Sequence, residues 1–121
     1  MAEHTVLVVD DDAALRFLCR VNLELAGFRV VEAATLAVAA AALDDERPDV
    51  LLLDVHLGAG DGIAFVPEAR RRLPEVRIAM LTGTANLQDV RAAGADAVVR
   101  KPFDPLELVA TVERLAAEAR V

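Results

Sequence analysis

"DVLLLDVHLGAGDG", residues 49–62, decides the fold of this chain. Leu51, Leu52 and Leu53 run on without polar alternation, which marks a strand covered on both faces and hence a parallel sheet. The next residue is Asp54. A carboxylate at the mouth of a buried strand is costly unless a cation meets it. Gly58, Gly60 and Gly62 follow and let the backbone turn tightly.

The rest of the chain repeats this pattern in both directions. "HTVLVV" (4–9) is a short β-branched run ending at Asp10 and reads as the first strand. Ala14, Leu15, Leu18, Val21 and Leu25 recur at helical spacing across 12–26, and Gly27 closes that helix. "FRVVEA" (28–33) is the second strand, and 35–46 an alanine-rich helix that ends before Pro48. Asp61 caps a helix over 62–73 that stops at Pro74. "VRIAML" (76–81) is the fourth strand, a short helix spans 86–93, and "DAVVR" (96–100) is the fifth strand. Residues 105–119 place Leu108, Val112, Leu115 and Ala119 on one face and Glu107, Thr111, Arg114 and Glu118 on the other. Five strands alternating with five helices predict one doubly wound α/β domain over residues 1–121.

Composition excludes several classes of function. With 121 residues, 55% of them hydrophobic and 27% charged, the chain has the makeup of a single folded domain. A formal charge of −7 leaves no broad basic footprint for nucleic acid or an acidic membrane. Serine, tyrosine and tryptophan are absent, so serine-hydrolase chemistry is excluded. Neither GxxxxGK[ST] nor GxGxxG occurs. His4, His56 and Cys19 do not make a zinc site without carboxylates. A single cysteine fits a reducing compartment, and the N-terminus has no signal-peptide pattern, so the expected location is the cytoplasm.

Ligands of such sheets sit at the carboxyl ends of the strands. The polar residues there are Asp10-Asp11-Asp12 after strand one, Asp54 after strand three, Thr82-Gly83-Thr84 after strand four, and Arg100-Lys101-Pro102 after strand five. Asp12 suits a helix N-cap, which leaves Asp10 and Asp11 surplus to capping. Lys101 is the only lysine of the chain, where every other cation is arginine, and a compact point charge suits a phosphoryl or carboxylate oxygen. Three crowded carboxylates repel one another until a divalent cation relieves them, and an all-oxygen site suits Mg²⁺. With Thr82 as hydroxyl donor, the set reads as a phosphoryl-transfer site with Asp54 as nucleophile.

These residues resemble the receiver domain of two-component response regulators over essentially the whole chain. The matching pieces are "VLVVDDD" (6–12), "DVLLLDVHLGAGDG" (49–62), "IAMLTGT" (78–84), "GAD" (94–96) and "KPF" (101–103). The resemblance implies a flavodoxin-like sheet of order 2-1-3-4-5. It implies that Asp54 accepts phosphate from a sensor histidine kinase or a histidine phosphotransfer protein. Asp11 would bind Mg²⁺ directly, Asp10 through water, and the His56 backbone carbonyl would add a ligand. Lys101 and Thr82 would contact the phosphoryl group, and Lys101–Pro102 would be cis. Such a domain is not a turnover enzyme beyond its own phosphorylation and slow dephosphorylation. Its face of helix four, strand five and helix five would meet a downstream protein or a second copy.

Three positions depart from the family pattern. Val98 stands where an aromatic residue usually couples to Thr82, Gly58 where proline is common, and Gly83 where alanine is usual. Val98 keeps open a second reading, a pseudo-receiver that binds partners without phosphorylation. A haloacid-dehalogenase-type phosphatase needs a second acid two residues after the first, and His56 is there instead. Of the remaining residues, Cys19 reads as packing, Arg70-Arg71-Arg72 as a solvated face, and Phe103 as an anchor for the turn after Lys101. By the same resemblance His56 presents its side chain near the site, where family members vary and phosphoryl lifetime is tuned, and Leu15 and Leu18 resemble positions where receivers dock kinase helices but suit the core equally.

Overall fold

The computed structural model describes residues 3–58, 60–83 and 87–119. One parallel sheet contains β1 (Thr5–Val9), β2 (Arg29–Ala33), β3 (Val50–Asp54), β4 (Arg77–Thr82) and β5 (Ala97–Arg100). Their order is β2-β1-β3-β4-β5, the order the family resemblance implies. The helices are α1 (Ala13–Leu25), α2 (Leu36–Glu46), α3 (Gly62–Arg72), α4 (Leu87–Ala92) and α5 (Pro105–Ala119). Residue 86 of the predicted fourth helix, and Thr84, lie outside the described residues.

Local chemistry sets the boundaries. Asp12 caps α1 by accepting from the Ala14 and Leu15 N–H groups, and Asp61 caps α3 through Ile63 and Ala64. Thr35 does the same for α2 through Val38. Between β3 and α3 the chain adds a feature that periodicity did not predict. His56–Leu57 pairs antiparallel with Gly60–Asp61, so the glycine-rich stretch is a two-rung hairpin. Gly58 turns it at φ +57, a left-handed conformation that favours glycine.

Apolar side chains fill both faces of the sheet. Leu7, Val9, Leu51, Leu53, Ile78 and Met80 pack on the side holding Leu43, Val66 and Val90. Val6, Val8, Leu52 and Leu81 pack on the other, with Leu23, Leu108, Val112 and Leu115. Leu108, Val112 and Leu115 of the predicted core face of α5 are therefore found in the core, and the side chain of Ala119 lies outside the described residues. On α1 the buried residues are Cys19 and Leu23 instead. Val21 and Leu25 point outward at 37% and 82% exposure, with Leu18 at 40% and Phe17 at 66%. This helix is apolar on two sides, and periodicity alone does not choose which one meets the sheet. Cys19 is packing, as expected, and burial pushes its thiol up to about 12.

The arginine run is likewise more than a solvated face. Arg70 donates to the Val76 and Gly94 carbonyls and to Asp96, and Arg72 bridges Asp44 and Glu68. Only Arg71 of the three is a plain exposed cation among the described residues. Phe103 is half-buried against the α1/α5 core. No helix is long and apolar enough to cross a membrane among the described residues.

Candidate functional site

β1 and β3 are neighbours whose onward connections leave on opposite sides, so their carboxyl ends flank a crevice. Asp10 follows β1 and Asp54 ends β3, both essentially buried, while Asp11 is exposed. One carboxylate oxygen from each of the three lies within 4.8 Å of the others. β4 ends in buried Thr82, and β5 delivers Lys101, whose backbone N–H donates to the Thr82 carbonyl at 2.8 Å. Thus five side chains from four strand ends meet on one rim.

The charges are tightly interlocked. Lys101 Nζ lies 3.2 Å from Asp10 Oδ2 and 3.2 Å from Asp54 Oδ2. The other Asp10 oxygen accepts from the Asp12 N–H at 2.9 Å, and Asp54 Oδ1 accepts from the His56 N–H at 3.2 Å. Burial pushes the Asp10 carboxyl above its ordinary range, and the Asp54 charge adds to that against the pull of the Asp12 N–H and Lys101. Burial works against the Lys101 ammonium too, but Asp10 and Asp54 hold its pKa above the usual lysine value. Three acids face one lysine, so net negative charge remains. An oxygen-only cluster of this charge fits a hard divalent cation.

The His56 side chain is exposed, Leu15 is half-buried, and Val98 is half-buried against the α2/α3 core. Lys101–Pro102 is cis. A methyl group at Gly83 would lie 3.8 Å from Lys101 Cβ, an ordinary contact, so space there does not demand glycine.

Two supporting roles escape sequence reading, that of Gly62, read only as a turn glycine, and that of Arg16. Gly62 donates its N–H to the Val55 carbonyl, and a Cβ there would collide with the Asp54 backbone carbonyl. Arg16 donates to the Asp10 carbonyl at 2.7 Å and to Glu32 at 3.0 Å. Its one sequence signal was its place on the first turn of the helix after the acids.

A doubly wound sheet with this acid–lysine–threonine rim defines the class of receiver-type signalling domains. The chain belongs to the response regulator receiver domain family, which matches residues 6–113. It is 36% identical over 118 residues to the phosphate regulon transcriptional regulatory protein PhoB of Pseudomonas aeruginosa, covering 93% of this chain and 52% of that protein. It is 35% identical to the DNA-binding dual master transcriptional regulator RpaA of Synechocystis, covering 91% of this chain and 48% of that protein. The chain therefore spans about half the length of the curated relatives it matches. Among solved structures, a CheY-like receiver domain from Methanospirillum hungatei superposes with a TM-score of 0.92 at 30% identity, covering 98% of both chains. Vibrio cholerae CheY4 superposes at 0.87 and 33% identity, covering 94% of this chain and 99% of that one. The chain is a response-regulator receiver domain, the module of two-component signalling.

Proposed function

We propose that Asp54 is the phosphoacceptor and takes a phosphoryl group from the phosphohistidine of a sensor kinase or a phosphotransfer protein. The observation that carries this reading is the Lys101 ammonium, 3.2 Å from the Asp54 carboxylate and 3.2 Å from Asp10. In the transfer an Asp54 oxygen attacks phosphorus as the phosphorus–nitrogen bond to imidazole breaks. The electron pair leaves on the imidazole, and the product is an acyl phosphate on Asp54. Lys101 moves from the carboxylates to a phosphoryl oxygen, and the Thr82 hydroxyl donates to another. Asp10, Asp11, Asp54 and the His56 carbonyl are the groups that would hold Mg²⁺, which supplies positive charge beside the transferring oxygens.

The chain then acts by changing partner contacts rather than by turning over a substrate. A recess of about 480 Å³, lined by Arg91, Ala97, Val98, Thr111 and Arg114, lies on the α4–β5–α5 side and is the surface for a downstream protein or a second copy. Residues 1–121 act as one domain in the cytoplasm, with neither nucleic acid nor membrane as a partner of this part.

Incubation with a small phosphodonor and Mg²⁺, read by intact mass, tests the acceptor. One phosphoryl group is expected on the native chain and none on Asp54→Asn. An adduct that persists in the variant, or none in the native chain with Mg²⁺ present, overturns the reading.

A further inference from the structure

Among the described residues, Arg16 is a cation with two anchors beside the acidic rim and no part in the chemistry above. β2 ends at Ala33, whose carbonyl takes the Asp10 N–H at 3.2 Å. The Asp10 carbonyl on the same side has no further β2 donor and is taken by Arg16 Nη1 at 2.7 Å. Arg16 Nε holds Glu32 at 3.0 Å, and the other Glu32 oxygen is held by Arg20 at 2.9 Å. The Arg16 side chain is only 17% exposed, so the fork is packed in place.

This geometry matters most for Asp11. Asp10 has both carboxylate oxygens engaged, and Asp54 is braced by His56 N–H and Lys101. Asp11 is exposed, and no side-chain hydrogen bond or ion pair fixes its carboxylate among the described residues. Its Oδ2 lies across the turn from Gly58, 3.6 Å from where a Cβ would stand. The peptide plane between Asp10 and Asp11 therefore sets its reach, and Arg16 fixes that plane.

We propose that Arg16 is a positioning residue for the cation site: anchored on Glu32, its guanidinium holds the Asp10 carbonyl and so aims Asp11 at Asp54. The proposal rests on the reading of the acidic cluster as a Mg²⁺ site. Lysine at this position keeps the charge but cannot span both acceptors, which separates geometry from electrostatics.

Mg²⁺ is titrated into the full chain by calorimetry, and thermal melts are recorded in EDTA. Arg16→Lys is expected to weaken Mg²⁺ binding about tenfold, the lower end of the roughly 10–100-fold effects of groups that orient metal ligands. Glu32→Gln, which leaves Arg16 its charge and its Asp10 contact, is expected to weaken binding less. Variants that melt earlier but bind Mg²⁺ as the native chain does would show a purely structural staple and overturn the proposal. If Arg16→Lys does not fold, the Glu32→Gln isotherm decides, with native affinity counting against. A native chain that binds no Mg²⁺ removes the cation reading itself, an outcome distinct from native binding with unchanged variants.

Discussion

Asp10 is fully enclosed, with Lys101 3.2 Å from one oxygen and the Asp12 N–H 2.9 Å from the other. Even so, burial and the neighbouring Asp54 hold its carboxyl above its ordinary pKa. A carboxyl whose folded pKa is raised contributes stability that is fully present below the unfolded value and lost as pH rises through the folded value. Without a cation, ionising Asp10 inside the fold therefore costs free energy. Asn is nearly isosteric and keeps an oxygen for the Asp12 N–H, while Lys101 retains Asp54. Asp10→Asn is expected to raise the melting temperature in EDTA at pH 7 by a few degrees, at about 3–6 °C per kcal/mol for a domain of this size. The gain should shrink as the pH falls through the raised folded value and be gone below about 4, where the carboxyl is protonated in both states. In Mg²⁺ the native chain should gain more stability than the variant. A variant less stable than the native chain in EDTA at pH 7 would contradict this account.

At the level of elements, caps and strands were legible because their signals are local. Asp12 and Asp61 precede their helices, and Leu51–Leu53 announce a buried strand without reference to anything distant. The gathering of the rim residues was legible for a related reason: Asp10, Asp11, Asp54, Thr82 and Lys101 each follow or end a strand, and topology brings such positions together. The outward face of α1 was not legible, since Phe17, Leu18, Val21 and Leu25 satisfy helical periodicity as well as Cys19 and Leu23 do. Nor were long-range polar ties, which depend on which side chains cross between elements. Asp96 is the clearest case. It accepts from the Ile78 N–H at 2.8 Å, from Arg70 at 2.9 Å and from Arg77 at 3.4 Å, joining α3, β4 and the start of β5. Burial tends to raise its pKa, but the Ile78 N–H and the two guanidinium groups outweigh that and lower it. A depressed carboxyl contributes stability present above the unfolded pKa and lost as pH falls through the folded value. Asp96→Asn should cost about 1.5–3 kcal/mol at pH 7, the range for hydrogen bonds to charged groups. In urea titrations between pH 7 and pH 3, the gap between native chain and variant should close at the acid end. A gap independent of pH would assign the loss to shape rather than charge.

On the scale of the whole molecule, the sheet is the shared wall of two apolar layers. Neighbouring residues of β3 alternate between them, with Leu51 and Leu53 in one and Val50 and Leu52 in the other. Neither layer can lose its strands without exposing the opposite one, so the two should fail together, as one domain. Leu43 on α2 and Leu115 on α5 lie on opposite sides, at 0% and 1% exposure. Truncation of either to alanine removes buried methyl groups and leaves a cavity, at a cost of about 2–5 kcal/mol. Thermal unfolding of Leu43→Ala and Leu115→Ala, followed by calorimetry, is expected to show a single transition in each, with calorimetric and van't Hoff enthalpies equal. Both midpoints should fall by a similar amount despite the separation of the sites. Two resolved transitions, or a variant in which only part of the heat absorption moves, would mean that the layers unfold separately and that residues 1–121 are not one cooperative domain. The rim depends on that cooperativity, because Asp10 and Asp54 come from adjacent strands and Lys101 reaches them from the sheet's far edge.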